Sequence, residues 1–165
     1  MRTRTQKIVF TSLLTALACV TTMAVKIPTP LGGYVNLGDA IVFMAAALLS
    51  PLYAVFAAGV GSALADLFSG YVIYAPATFV IKGGMAALLL VLHKAIPKKL
   101  KALSFFLAAC CVPIGYFLFE SCLYGIPSAA PNLIFNFLQG QVGAIAALLL
   151  SHTIRYMERG ERHHE

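Results

Sequence analysis

Charged side chains are scarce in this chain. Only 11% of its 165 residues are Asp, Glu, Lys or Arg, while 60% are hydrophobic and the mean hydropathy is +0.86. Soluble domains carry about a quarter charged residues, so this composition excludes an ordinary soluble protein. It leaves no room for a soluble catalytic domain, and we expect one membrane domain over residues 1–165.

The motifs of several enzyme classes are also missing. The sequence contains no G-x-x-x-x-G-K-[ST] motif, so it cannot bind and hydrolyse ATP with a P-loop. It shows no paired carboxylates, nucleophile elbow or set of metal ligands, and we therefore predict no catalytic residue, no metal and no cofactor. The cysteines follow neither metal-binding nor disulfide spacing and are interpreted as small buried packing residues: Cys19, Cys110, Cys111 and Cys122.

Long apolar segments are abundant instead. Uncharged runs cover residues 8–25, 40–65, 102–119 and 121–154. A membrane-spanning helix needs about 20 mainly apolar residues, so we predict an all-α bundle of six transmembrane helices. The predicted ranges are 6–25, 37–49, 52–67, 76–96, 102–124 and 131–157. The second and third helices are short, which predicts little tilt or partial enclosure by the protein.

The basic residues predict the orientation of this bundle. Ten of the twelve fall into three clusters, namely Arg2, Arg4 and Lys7, then Lys94, Lys98, Lys99 and Lys101, then Arg155, Arg159 and Arg162. Six spans place these clusters on one side, and the positive-inside rule puts both termini in the cytoplasm. The rule accounts for the net charge of +6, so we expect no nucleic-acid partner. The alternative of a cleaved signal peptide at residues 1–25 would destroy this asymmetry.

Four ionisable residues lie within the apolar helices. They are Asp39, Asp66, Lys82 and Glu120, and charges at such positions are costly and usually functional. With a rise of 1.5 Å per residue, Lys82 lies about 9 Å and Glu120 about 6–8 Å below the outer ends of their helices. Asn136 reaches about 7.5 Å. Polar groups from five helices therefore meet near the outer face.

These polar groups also share helix faces. The stripes are Thr78 and Lys82, then Tyr116, Glu120 and Tyr124, then Asn132, Asn136 and Gln139. Aromatic walls with a few fixed polar groups predict a pocket for a small planar ligand. The alternative is a structural ion pair between Lys82 and Glu120. Asp39 and Asp66 are left open between ligand contact and the stabilisation of a helix end or loop.

Two faces of small residues predict close helix packing. One, on the third predicted helix, consists of Ala54, Ala57, Ala58, Gly61, Ser62 and Ala65, and we interpret it as internal. The other, on the first helix, consists of Ser12, Thr15, Ala16, Cys19 and Thr22. Because the first helix is expected at the periphery, its small face is a candidate docking surface for a partner subunit.

Three segments resemble a known family. The stretches YVNLGDA at 34–40, GVGSALADLFSGY at 59–71 and YAPATFVIKG at 74–83 are similar to the substrate-binding S components of energy-coupling factor (ECF) vitamin transporters, in the riboflavin-type branch. The resemblance implies a multi-pass protein of the cell membrane that binds a water-soluble vitamin. It also implies a membrane-embedded coupling subunit and two cytoplasmic ATPase subunits as partners.

The resemblance implies a pocket formed by the loop after the first helix and by helices 4 to 6, which agrees with the polar stripes; the two together give the candidate residues. The ligand-binding candidates are Tyr34, Asn36, Asp39, Thr78, Lys82, Tyr116, Glu120, Tyr124, Asn132, Asn136 and Gln139. The loop 26–36 is expected to gate the pocket, with its glycines as hinges. The family's Ala-x-x-x-Ala docking face has its nearest matches in Ser12-x-x-x-Ala16 and Thr15-x-x-x-Cys19, so Ser12, Thr15, Ala16 and Cys19 are the docking candidates.

The ligand itself is left as a choice among vitamins. Pyridoxine or hydroxymethylpyrimidine is favoured, and riboflavin or α-ribazole follows, since the chain has no Trp to stack on a flavin. We expect Glu120→Gln or Lys82→Ala to abolish tight binding without unfolding the protein. The alternatives are a stand-alone membrane facilitator or channel, and a membrane enzyme that uses Glu120 and Lys82 as acid and base.

Overall fold

The computed structural model describes residues 3–28 and 34–161, with side chains described up to residue 152. The predicted hinge glycines Gly32 and Gly33 therefore lie outside the described residues, as do Arg2 and Arg162. The helices of the described part are α1 (Arg4–Ala24), α2 (Gly38–Leu48), α3 (Pro51–Phe68), α4 (Ala75–Ala95), α5 (Lys101–Ala109), α6 (Cys111–Tyr124) and α7 (Ile126–Glu161). A short 3-10 helix, Lys98–Leu100, precedes α5.

The predicted all-α fold is confirmed, with one small addition. Within the described residues, five helical segments are long and apolar enough to cross a membrane: α1, α3, α4, α5 together with α6, and α7. The exception is α2, whose 11 residues extend about 16 Å. Its residues 38–46 are all buried, which bears out the predicted enclosure of a short second helix.

The addition is a β-hairpin in the loop after α1. Strand β1 (Lys26–Pro28) pairs antiparallel with β2 (Tyr34–Asn36), and Ile27 lies opposite Val35. A loop was expected over these residues. Three-residue strands carry too little periodic pattern to be recognised in the sequence, so the pairing emerges only from the structure.

Proline explains two further differences from the predicted helices. The fifth predicted helix is divided at Cys110, because Pro113 has no N–H to donate to the carbonyl of Ala109 four residues earlier. The last helix begins at Ile126 and contains Pro131, although we expected Pro131 to open it. Gly125 makes the tight turn between α6 and α7 with a φ of +84°, which favours glycine.

The small-residue face of α3 is internal, as predicted. Ala54, Ala57, Ala58, Gly61, Ser62 and Ala65 are all buried. A Cβ atom added to Gly61 would lie 2.6 Å from the carbonyl oxygen of Thr15, so glycine is what lets α1 and α3 pack this closely. The interpretation of the cysteines holds only for Cys19, since Cys122 is exposed on the bundle surface.

Candidate functional site

A cavity lies at the end of the bundle where the hairpin covers the helices. It opens among the last turn of α1, the end of α3, the start of α4, the end of α6 and the start of α7. The lining residues are Thr22, Tyr34, Asn36, Ser62, Asp66, Tyr71, Tyr74, Thr78, Lys82, Tyr116, Glu120, Asn132 and Asn136. Its volume is about 30 Å³, so a ligand larger than a few atoms requires the lining to move apart.

One wall is held by a buried ion pair. Lys82 of α4 pairs with Asp39 of α2, and their side chains are only 2% and 1% exposed. The second oxygen of Asp39 accepts a hydrogen bond from Gln139 Nε2 at 2.9 Å. Gln139 Oε1 in turn accepts the backbone N–H of Asn36 at 3.0 Å. This network joins α4, α2, α7 and β2, and it corrects the alternative in which Lys82 pairs with Glu120.

A glycine allows two of these helices to approach. A Cβ atom added to Gly143 would lie 2.5 Å from the Cβ of Asp39, so α7 can pass this closely to α2 only without a side chain there. The close passage brings Gln139, one turn earlier on α7, within hydrogen-bonding distance of Asp39.

The opposite wall carries a carboxylate with spare hydrogen-bonding capacity. Glu120 Oε1 accepts hydrogen bonds from Asn132 Nδ2 at 3.1 Å and Tyr74 Oη at 3.4 Å. Among the described residues, the buried side-chain atoms without a hydrogen-bond partner are Thr22 Oγ1, Asp66 Oδ2, Glu120 Oε2, Ser121 Oγ and Asn132 Oδ1. All but Ser121 belong to residues that line the cavity. Buried polar groups are normally satisfied, so this concentration is typical of a binding site.

The hairpin is attached to the bundle by polar contacts. Tyr34 Oη donates to Asp66 Oδ1 at 2.5 Å, and Lys26 Nζ donates to the hydroxyl of Ser69. Burial, and then the hydrogen bond to Asp66, raises the pKa of Tyr34 above its usual value. The phenol therefore stays protonated and can donate to Asp66 at neutral pH.

Tyrosines surround the space between these walls. The rings of Tyr34 and Tyr71 lie 4.8 Å apart, and those of Tyr74 and Tyr116 lie 6.4 Å apart. Lys82 Nζ lies 5.6 Å from the centre of the Tyr116 ring, and Tyr116 Oη is 2.8 Å from Thr78 Oγ1. Aromatic faces with hydroxyl groups at their edges suit a planar polar ligand.

Eight of the eleven predicted ligand-binding residues line the cavity, and these are Tyr34, Asn36, Thr78, Lys82, Tyr116, Glu120, Asn132 and Asn136. Asp39 and Gln139 lie behind the wall, in the network with Lys82. Tyr124 lies elsewhere: it is 46% exposed, because it ends α6 beyond the cavity.

Five lining residues were not predicted as ligand contacts, and these are Thr22, Ser62, Asp66, Tyr71 and Tyr74. Asp66 was noticed as a charge in an apolar helix but left open. Thr22 and Ser62 belong to faces interpreted as packing surfaces. Tyr71 and Tyr74 lie between helices, where no periodicity could mark them. The signal that could have found them is the family resemblance, since Tyr71 ends one of its stretches and Tyr74 begins another.

The predicted docking residues lie together on the lipid-facing side. Ser12, Thr15, Ala16 and Cys19 line an apolar groove between α1 and α3, whose far edge is formed by Phe56, Leu64 and Phe68. Ser12 and Ala16 are exposed, whereas Cys19 is buried. The volume of this groove is about 430 Å³.

Apolar helices around a polar cavity are the architecture of a multi-pass membrane protein. Residues 2–156 match the family described as the S component of the ECF-type riboflavin transporter. The chain belongs to this family, which consists of transporter components rather than enzymes.

Two further likenesses accompany this assignment. The solved S component of a bacterial ECF transporter is 22% identical and superposes with a TM-score of 0.79, covering 94% of this chain and 98% of its own. That likeness supports the fold. A Pyrococcus woesei protein, called an uncharacterized protein in gap 3′region, is 54% identical over 65 residues. The match covers 39% of this chain and 43% of that relative.

Proposed function

We propose that this protein captures a small, water-soluble nitrogen heterocycle, of the pyridoxine or hydroxymethylpyrimidine type, and delivers it through an ECF uptake transporter. The observation that carries the proposal is the set of unpartnered buried atoms on Thr22, Asp66, Glu120 and Asn132 around one cavity. A ligand with several N–H or O–H groups would satisfy them. Each such bond is worth about 1 kcal/mol, or more where the acceptor is charged.

The size of the cavity favours the smaller vitamins. Typical ligand pockets measure about 300–1,000 Å³, whereas this cavity measures about 30 Å³. The walls must therefore separate before any vitamin enters, and a single six-membered ring requires less displacement than the three fused rings of riboflavin. Riboflavin and α-ribazole are the next candidates.

The hairpin is the element proposed to move. It contacts the bundle through Tyr34, Lys26 and Asn36. Its described residues, 26–28 and 34–36, contribute nothing to the buried apolar core, and Ile27 is exposed. Contacts of this kind can be exchanged for contacts with water at low cost. The predicted gate over residues 26–36 thus has a physical basis in the parts that the structure describes.

The remaining parts of the proposal concern topology and partners. With α2 counted as a short span, the chain crosses the membrane six times as one domain, both termini are cytoplasmic, and the cavity opens outside. The proposed partners are a membrane-embedded coupling subunit and two cytoplasmic ATPases. Ser12, Thr15, Ala16 and Cys19 are proposed as the docking face for the coupling subunit, because small residues admit a close helix.

Calorimetric titration of the purified protein with pyridoxine, hydroxymethylpyrimidine, riboflavin and α-ribazole tests the proposal. We expect one of the two small heterocycles to bind most tightly, and Glu120→Gln to weaken that binding while the protein stays folded. Failure of all four to bind would contradict vitamin capture.

The stand-alone facilitator requires a separate experiment. Proteoliposomes containing the chain alone should not accumulate labelled vitamin, whereas vesicles that also contain the coupling subunit and ATPases should do so with ATP. Uptake by the chain alone at the same rate would favour the facilitator.

A further inference from the structure

We infer that the cavity binds its ligand as a cation, with an ammonium group placed against Glu120. This inference rests on the proposed capture function and specifies the chemical class of the ligand. The described structure offers three independent observations for it: the charge balance of the lining, the unpartnered acceptors, and the arrangement of the tyrosines.

The charge balance distinguishes the two walls. Among the described residues that line the cavity, Lys82 is the one cation, and it is already paired with Asp39. In the described part of the chain, no Lys or Arg nitrogen lies within 4.0 Å of the Glu120 carboxylate. Glu120 is nevertheless only 2% exposed. A buried carboxylate is costly unless it is paired, and a cationic ligand would supply the missing partner.

The unpartnered atoms around Glu120 are acceptors. Glu120 Oε2 and Asn132 Oδ1 have no partner, while Asn132 Nδ2 already donates to Glu120. Both residues are buried and line the cavity. Two free acceptors side by side are suited to a group that carries several N–H donors, such as an ammonium. An anionic or phosphorylated ligand would meet repulsion here.

The tyrosines beside Glu120 add a favourable surface for positive charge. Tyr74 and Tyr116 both line the cavity, with ring centres 6.4 Å apart, and Tyr74 also donates to Glu120. Aromatic faces attract ammonium groups through their negative quadrupole, especially when water is excluded. A cation in contact with Glu120 would therefore lie beside these two rings.

The test compares pairs of ligands in which a single neutral group is exchanged for a charged one. The matched pairs are pyridoxine with pyridoxamine, and hydroxymethylpyrimidine with its aminomethyl analogue, because each exchanges a hydroxyl for an ammonium. Pyridoxal 5′-phosphate serves as the anionic member and riboflavin as a neutral vitamin. We expect the aminomethyl member of at least one pair to bind about 30-fold more tightly than its hydroxymethyl partner, and pyridoxal 5′-phosphate to bind least.

Glu120→Gln should reduce this preference to about threefold or less, since the amide keeps the shape and loses the charge. The control is Glu158→Gln, which changes a glutamate in the last part of α7 at the opposite end of the bundle and should leave the preference unchanged. If the Glu120 variant does not fold, the titrations of the unmodified protein decide the question alone.

Equal or tighter binding of the neutral members would overturn the inference, and so would a preference that survives in folded Glu120→Gln protein. Tight binding of riboflavin or pyridoxine without a cation preference would overturn only the charge assignment and leave vitamin capture standing. Absence of binding across the whole panel would overturn both.

Discussion

The buried pair between Lys82 and Asp39 gives the most quantitative prediction. Lys82→Met removes the cation and leaves the Asp39 carboxylate in a site where its side chain is 1% exposed. Breaking a buried pair in this way costs about 3–5 kcal/mol. Asp39 keeps its hydrogen bond from Gln139, so we expect a loss near the lower figure, about 3 kcal/mol. For a chain of this length that lowers the melting temperature by about 6–12 °C.

The assay is thermal unfolding in detergent micelles, followed by circular dichroism, for both single variants and the double variant. Asp39→Asn combined with Lys82→Met removes both charges and keeps an oxygen for Gln139. We therefore expect the double variant to recover at least half of the loss, because a buried pair can often be replaced by neutral groups at little cost. A Lys82→Met protein that melts within about 2 °C of the unmodified protein would refute the reasoning.

Three other changes test the binding site, the helix packing beside it and the attachment of the hairpin. Tyr74→Phe should weaken vitamin binding about tenfold, because the pocket carboxylate loses a donor. The control is Tyr53→Phe near the start of α3, which should leave the affinity in the same titration unchanged because Tyr53 does not line the cavity. Gly143→Ala should lower the free energy of unfolding by about 1–3 kcal/mol by pushing α7 away from α2. The control is Gly84→Ala, which has open space around it and should be neutral or slightly stabilising. Equal effects of the two changes on the free energy of unfolding would contradict the account. Tyr34→Phe should leave the ultraviolet titration of tyrosine unchanged over the pH range where exposed tyrosines ionise, because the raised pKa of Tyr34 keeps its phenol protonated in the folded protein there. Loss of one tyrosine's share of the absorbance change within that range would show that the phenol is not buried against its carboxylate acceptor.

The layer of polar side chains that meet near the outer face was predictable, because these residues follow helical periodicity. Asn132, Asn136 and Gln139 share one face, and the structure buries all three while leaving their neighbours Leu133 and Ile134 exposed. Membrane helices show this contrast clearly, since most of their surface is apolar.

The pairing within the layer was not predictable. Lys82 reaches Asp39 rather than Glu120 because α2 is short and lies inside the bundle, a fact of tertiary packing that the chain's periodicity does not encode. The expectation that Lys82→Ala abolishes binding stays a prediction, to which the pair with Asp39 adds a loss of stability. Tyr71 and Tyr74 escaped notice for a related reason, since they line the cavity from a turn between helices.

Native mass spectrometry of the protein purified from vitamin-fed cells tests the central claim most directly. The account predicts one intact small heterocycle bound per chain, released on unfolding and missing from a correctly folded Glu120→Gln variant. A protein that binds no small molecule, or a Glu120→Gln variant that retains it in full, would contradict the proposed ligand site.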